Sequence, residues 1–530
     1  MSAATSTPRA SGPLPAGFHN LTVTSGIRAS AERVPGKVAL ICGAATRTYA
    51  QLLDAIDRVA NGVLALGLQP GQNAAIISPN TLEYIEIIAG VSEIGAATAT
   101  PNPRLTPREL ADICNDAGAR ILFVHPECKR SIDRALYRTV EHVVVLGEPY
   151  QAFLRDASPD FEPGFITEWT TFSIPYTSGT TGKPKGVMLS HRSRSLAFLS
   201  YAGEYGIYSP DDHFLAIAPM CHGAGLAYAM ASVFMGGCTE ILAKFDAETV
   251  LRAVHSGRVT GMFTVPTHYH AIFSLPPAML EELRGNRLRG IVCNAAPLPQ
   301  SMKEQVIAYF GAGLLHETYG STEGGVVTNL RPKDQLRKVN CVGLPFGGNR
   351  IRLLDDQGRD VADGEVGELF SMSPALFNGY WGMPGTTSEA LRDGWVSVGD
   401  MARRDNEGFL YIVDRKKDMV ITGGTNVYPR EVEEILDTHP GVAESAVIGM
   451  PDPQWGEKLV ACVVMTAGAE LDVAALEALA REQLAPYKRP KHYLPVDMLP
   501  RNANGKVLKT RLREWCATNS PQLTGLDHGS

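Results

Sequence analysis

The chain has 530 residues and a net charge of −7, with 44% hydrophobic and 20% charged residues. That length suffices for a large core and for more than one domain, and the composition is that of a globular enzyme. There is no basic surplus to release counterions from a polyanion, so nucleic acid is excluded as an expected partner.

Residues 1–20 are rich in Ser, Ala, Pro and Gly and hold no continuous apolar run, so they read as a loose tail and not as a secretory signal. From there, short apolar runs alternate with amphipathic stretches. Val38–Cys42 is strand-like. Thr48 then stands three residues before Gln51, a capping-box spacing, ahead of a helical stripe of Leu52, Ile56, Val59, Val63 and Leu66. Further runs at 74–77, 121–124 and 143–146 predict strands, and the alternation predicts an α/β architecture with largely parallel sheets. The segment 214–239 carries no charged residue, which meets the length criterion for a membrane span. Pro219, Gly223, Gly225, Gly236 and Gly237 interrupt it, so a buried strand, loop and helix are expected instead.

A turn at residues 405–408 predicts a hairpin, and the charged run 414–418 is the expected domain boundary. Beyond it, Pro429 opens a helix containing Val432, Ile435 and Leu436; strands follow at 442–448 and 459–465, then a helix from about 473 to 484. This reads as a small α+β domain of ordinary size. The nine cysteines form no Cys-x-x-Cys pair, so neither a zinc site nor a disulfide framework is suggested, and a reducing, cytoplasmic setting fits.

The most informative stretch is 176–186, Tyr-Thr-Ser-Gly-Thr-Thr-Gly-Lys-Pro-Lys-Gly, entered from Phe172, Ser173, Ile174 and Pro175. Three glycines and six Ser, Thr or Lys side chains in eleven positions cannot pack a core. They can wrap a phosphate chain: glycine permits close backbone approach, hydroxyls donate hydrogen bonds, and Lys183 and Lys185 offset charge. A Walker A loop needs a first glycine where Thr177 stands and a Ser or Thr where Pro184 stands, so that reading fails twice.

The loop resembles the phosphate signature of the adenylate-forming enzymes: acyl- and aryl-CoA ligases, luciferase and peptide-synthetase adenylation domains. The resemblance recurs in order at Tyr319-Gly-Ser-Thr-Glu323, Gly394-Trp-Val-Ser-Val-Gly-Asp400, Asp414-Arg-Lys-Lys-Asp418 and Asn504-Gly-Lys506, and covers about residues 30–515. It implies a large N-terminal domain of α/β subdomains (21–416), a small mobile α+β C-terminal domain (417–517) and a second loose tail at 518–530. It implies ATP, Mg²⁺ and coenzyme A as cofactors, a carboxylic acid as substrate, no transmembrane segment, and an assembly compatible with a homodimer.

By the same resemblance, Thr177, Ser178, Gly179, Thr180, Thr181 and Lys185 hold the β- and γ-phosphates, Thr322 contacts the α-phosphate, and Glu323 helps bind Mg²⁺. Tyr319 lies against the adenine in a slot lined by Ala295, Ala296 and Pro297. Asp400 and Arg415 hold the ribose hydroxyls. Lys506 bridges the carboxylate and α-phosphate oxygens and stabilises the pentavalent transition state. For thioester formation the small domain swings about Lys417, after which Gly424 lines the pantetheine tunnel; a plain turn is the competing reading for Gly424.

For the acyl pocket, His222, segment 263–269, Asn294 and the run 320–326 are candidates. These stretches contain no Lys or Arg for a second charge on the substrate. Gly320 occupies the position of a pocket-closing tryptophan in acetate-specific relatives, so a glycine is expected to leave room for an aromatic ring or longer aliphatic chain. The expected activity is an AMP-forming acyl-CoA ligase for a medium- or long-chain fatty or aromatic acid. The alternative is an adenylating enzyme that loads a separate carrier protein, although the chain ends soon after Lys506 with no carrier domain attached. The motifs carry nothing for oxygen chemistry, and Lys506, Glu323 and Asp400 together argue against a non-catalytic nucleotide-binding regulator.

Overall fold

The computed structural model describes residues 21–164, 166–177, 184–466, 468–501 and 507–519. The first helix with a strong sequence signal, Tyr49–Ala65, begins as expected. The Gln51 N–H donates to the Thr48 hydroxyl, and the Thr48 N–H donates to the Gln51 side-chain oxygen. Its stripe of Leu52, Ile56, Val59 and Val63 is fully buried.

Two large sheets form the body. In the seven-stranded sheet the order is Gly379–Tyr380, Lys185–Ser190, Thr171–Thr177, Ala97–Thr100, Asn73–Ile77, Ala119–Val124 and His142–Val145. The last five run parallel. Helices cover both faces of such strands, so they read as apolar runs; Asn73–Ile77 is buried along its whole length. The second sheet has nine strands. Its six middle members, Leu315–Ser321, Gly290–Cys293, Gly261–Thr264, His213–Ala216, Cys238–Ile241 and Val38–Cys42, also run parallel. One core joins the sheets, with Ile76, Phe123 and Phe172 of the first packed into the same cluster as Leu40, Phe214, Phe263 and Val292 of the second. Helices His191–Tyr205 and Gly223–Phe234 pack against each other within it.

The segment 214–239 resolves into the strand His213–Ala216, the helix Gly223–Phe234 and the start of Cys238–Ile241. Among the described residues no helix is long and apolar enough to cross a membrane. A third, antiparallel sheet spans residues 350–415, and the hairpin expected at 405–408 joins its strands Asp400–Arg404 and Leu410–Arg415. A fourth sheet, residues 420–495, has its own cores around Val447, Leu459 and Val463 and around Ile448, Cys462 and Cys516. The helices Pro429–Leu436, Val473–Gln483 and Lys509–Asn519 belong to this unit. Pro429 takes the first helical position, where its missing N–H costs nothing.

Candidate active site

A cleft of about 2470 Å³ opens where the two parallel sheets, the antiparallel sheet and the small unit meet. Ordinary ligand pockets occupy roughly 300–1,000 Å³. This one is large enough for several ligand arms.

The phosphate loop leaves one strand and enters the next: Thr177 ends Thr171–Thr177, Lys185 begins Lys185–Ser190, and the two are register partners. Ser178, Gly179, Thr180, Thr181 and Lys183 lie outside the described residues. The flanking Thr177 and Pro184 border the cleft. Lys185 Nζ sits 5.1 Å above the Tyr380 ring, and the Tyr380 hydroxyl donates to Glu323 Oε1 at 2.8 Å. Burial and the adjacent carboxylate push the Tyr380 phenol up, so it stays a donor. Glu323 is buried, and Thr322 beside it borders the cleft.

A second chain of contacts runs through the adenine and ribose candidates. The Tyr319 hydroxyl donates to Asp400 Oδ2 at 2.6 Å, and Asp400 Oδ1 lies 3.0 Å from Arg415 Nε. Asp400 and Arg415 are cross-strand partners in the antiparallel sheet, so the pairing is set by register. Desolvation, then Asp400, raises the Tyr319 pKa far above that of a free phenol. Asn294 Nδ2 donates to the Thr318 hydroxyl at 2.8 Å, just past the end of strand Gly290–Cys293. Ala295 follows with φ of +78°, unusual for a residue with a side chain, and its N–H meets the Asn294 side-chain oxygen. Ala295 borders the cleft; Ala296 and Pro297 are exposed next to it.

One expectation about the acyl pocket is corrected. Gly320 borders the cleft, but an added Cβ would stand 2.1 Å from the Gly325 carbonyl oxygen. Strand Leu315–Ser321 bulges between Tyr319 and Gly320 against Gly325–Leu330, so the missing side chain lets two backbones approach and does not open pocket volume. The stretches expected to line the pocket hold no Lys or Arg, but the fold brings a cation to it from outside them. Arg194, one turn into helix His191–Tyr205, borders the cleft with His222, Tyr228 and Phe263. It was overlooked because it lies outside the stretches assigned to the pocket. Tyr380 was also missed, as it stands outside every motif and only folding brings it to Glu323. His222 stands at the N-cap position of helix Gly223–Phe234, at the cleft wall, without a capping hydrogen bond from its side chain. His268 stacks on Phe245 at 4.3 Å, and burial lowers its pKa to about 4, which makes the imidazole a neutral wall.

On the small unit, Arg501 and Val507 pair as an isolated antiparallel bridge and border the cleft with Lys417, Lys509 and Arg511. Lys506, between them in sequence, lies outside the described residues. Gly423 and Gly424 form the two-residue turn between Val420–Thr422 and Thr425–Val427, with φ of +57° and +77°. Left-handed conformations at both positions are what such a hairpin requires, and Gly424 is exposed.

The sequence pattern of the family described as AMP-binding enzyme matches residues 27–381, and that of the AMP-binding enzyme C-terminal domain matches residues 431–506. The chain is 38% identical to a feruloyl-CoA synthase of Amycolatopsis sp over 487 residues, 91% of this chain and 96% of the relative. It is 33% identical to the fatty acid–[acyl-carrier-protein] ligase ScoC of Streptomyces coeruleorubidus, over 91% of this chain and 94% of the relative. The crystal structure of ATP-bound MatB from Rhodopseudomonas palustris superposes with a TM-score of 0.86 at 32% identity, covering 94% of this chain and 99% of that one. Motif order, fold and cleft therefore agree, and the chain belongs to the AMP-binding enzyme family.

Proposed function

We propose that this chain is an AMP-forming acid–thiol ligase that activates a carboxylic acid with ATP and passes the acyl group to coenzyme A. The observation that carries this reading is that Thr177, Pro184, Thr322 and Arg415 border one cleft, Arg415 being tied through Asp400 to Tyr319, and Thr322 and Pro184 adjoining the Glu323–Tyr380–Lys185 cluster. In the first half-reaction a carboxylate oxygen attacks the α-phosphorus and pyrophosphate leaves. In the second, the thiol sulfur attacks the acyl carbonyl and AMP leaves. Thr177, Ser178, Gly179, Thr180, Thr181 and Lys185 hold the outer phosphates and Thr322 the inner one. Asp400 and Arg415 hold the ribose, while Tyr319 stacks on the base beside Ala295, Ala296 and Pro297. His222, Asn294 and Gly320 border the acyl group.

Glu323 fits a magnesium site, because a buried carboxylate next to the cleft-lining Thr322 would supply a hard oxygen donor of the kind that ion takes. When bound, the ion neutralises charge on the phosphates. Lys506 is assigned to the adenylation transition state, Lys417 to the hinge of the small domain (417–517), and Gly424 to the thiol passage after the swing. The nine free cysteines fit a cytoplasmic setting. The name of the carrier-protein ligase among the relatives supports a second reading, in which the acceptor thiol belongs to a separate carrier protein.

The test is pyrophosphate release across a panel of carboxylic acids, each with and without coenzyme A, on wild type and Lys506→Ala. Wild type should release pyrophosphate and form a thioester. The variant should lose adenylation but still convert supplied acyl-adenylate to thioester. Equal loss of both half-reactions in the variant would remove the assigned role of Lys506.

A further inference from the structure

We propose that Arg194 determines specificity by pairing with a second, non-reacting carboxylate on the acid. This rests on the ligase reading above and deepens it. Arg194 is 6% exposed, yet it borders the cleft. Its Nε and Nη2 have no hydrogen-bond partner, and among the described residues it forms no ion pair. The groups acting on it electrostatically are the phenols of Tyr201 and Tyr228, with no carboxylate among them.

A guanidinium stays charged at any working pH, and a buried charge without a counterion is strongly unfavourable. Folded proteins pair nearly all such groups, so an exception lining a ligand cleft asks what pairs it when the ligand is present. The fork geometry of the guanidinium matches a carboxylate with two parallel hydrogen bonds. The surroundings narrow the choice further. Tyr201 stacks on Tyr228 with centroids 4.7 Å apart, and Tyr228 on Phe263 at 4.3 Å. Arg194 thus presents two unsatisfied donors, Nε and Nη2, beside an aromatic wall. A monocarboxylic fatty acid leaves both unpaired. An acid with a second carboxylate on a flat or extended skeleton satisfies the guanidinium and stacks on the rings.

The experiment compares matched acids: heptanoate with heptanedioate, and phenylpropanoate with its para-carboxy and para-hydroxy derivatives. The readout is kcat/KM for pyrophosphate release by wild type, Arg194→Met and Arg194→Lys. Wild type should favour the diacid of at least one pair, and Arg194→Met should reduce the diacid-to-monoacid ratio on the order of 100-fold. Arg194→Lys, which keeps the charge but loses the fork, should fall between. Far-UV circular dichroism and the melting temperature establish that the variants fold. If Arg194→Met does not, the wild-type and Arg194→Lys ratios decide. A wild type that turns over the monoacids or the para-hydroxy acid in preference to the diacids, or an Arg194→Met ratio equal to wild type, overturns the proposal while leaving the ligase reading intact. No pyrophosphate release with any acid in a broad panel would instead defeat the ligase reading.

Discussion

Gly320→Ala tests how the strand pair that carries Tyr319, Thr322 and Glu323 is held. The new Cβ would stand 2.1 Å from the Gly325 carbonyl oxygen and 3.0 Å from both the Gly325 carbonyl carbon and Val326 Cα. All three are backbone atoms, so no side chain can swing away, and the strands must part by about 1 Å. Overpacking of this kind costs roughly 1–3 kcal/mol. A displacement of about 1 Å in a positioning element costs on the order of 100-fold in rate. We therefore expect Gly320→Ala to melt a few degrees lower and to release pyrophosphate about 100-fold more slowly on every acid, large or small. Gly203→Ala is the control: it lies in helix His191–Tyr205 with nothing within 4 Å of the added carbon, and it should gain roughly 0.5–1 kcal/mol. Differential scanning fluorimetry and single-turnover pyrophosphate release are the assays. A Gly320→Ala enzyme with wild-type melting and rate would refute the close-approach argument. One slowed only on large acids would return Gly320 to the pocket-volume role.

Tyr380→Phe removes the hydrogen bond to the buried Glu323 carboxylate while keeping the ring under Lys185, so kcat/KM for ATP should fall about tenfold and the Mg²⁺ dependence should shift; unchanged ATP and Mg²⁺ titrations would refute this. Asp400→Asn loses the Arg415 pair and should erase the preference for ATP over deoxy-ATP in steady-state competition; an unchanged preference would mean Asp400 does not hold the ribose. Burial lowers His191, His268 and His316 to about 4 from the ordinary 6.5. The unfolded chain therefore takes up these protons first, so stability present above pH 6.5 is lost as pH falls towards 4, at up to about 1.4 kcal/mol per pH unit for each histidine. Denaturant midpoints across that window should shift accordingly, and His268→Phe should reduce the slope by about one proton. A flat profile would contradict the burial of these rings.

The elements that were legible in the sequence are those whose signal is local. The Thr48–Gln51 capping box, Pro429 at the start of its helix and the turn at 405–408 each state their geometry within a few residues. The central parallel strands Asn73–Ile77 and Ala119–Val124 were legible as short apolar runs because both their faces are covered. The motif residues came from resemblance, and register then brought Asp400 to Arg415. What the sequence hid is what only tertiary packing creates. Tyr380 reaches Glu323 across 57 positions, and nothing in the residues around Arg194 reveals that its neighbours are all uncharged. Gly320 misled for a related reason. A missing side chain reads as space in one dimension, whereas the bulge opposite fills that space with the Gly325 carbonyl.

The cleft wall has a thermodynamic consequence. Part of it, Arg501, Val507, Lys509 and Arg511, is carried by a unit with cores of its own. That unit meets the body through polar contacts such as Asn340 Nδ2 to Glu434 at 3.0 Å and the Arg430 N–H to Asp414 at 3.0 Å. The first of these is solvent-exposed, and such contacts contribute little, about 0–1 kcal/mol each, while the second is part-buried. A ligand that touches both sides therefore competes with a weak seam, and occupancy and seam geometry are linked: each biases the other by the same free energy. Substitutions at Asn340 or Glu434, which border no ligand candidate, should thus change the apparent ATP affinity, and saturating ATP should protect amides at that seam from hydrogen exchange.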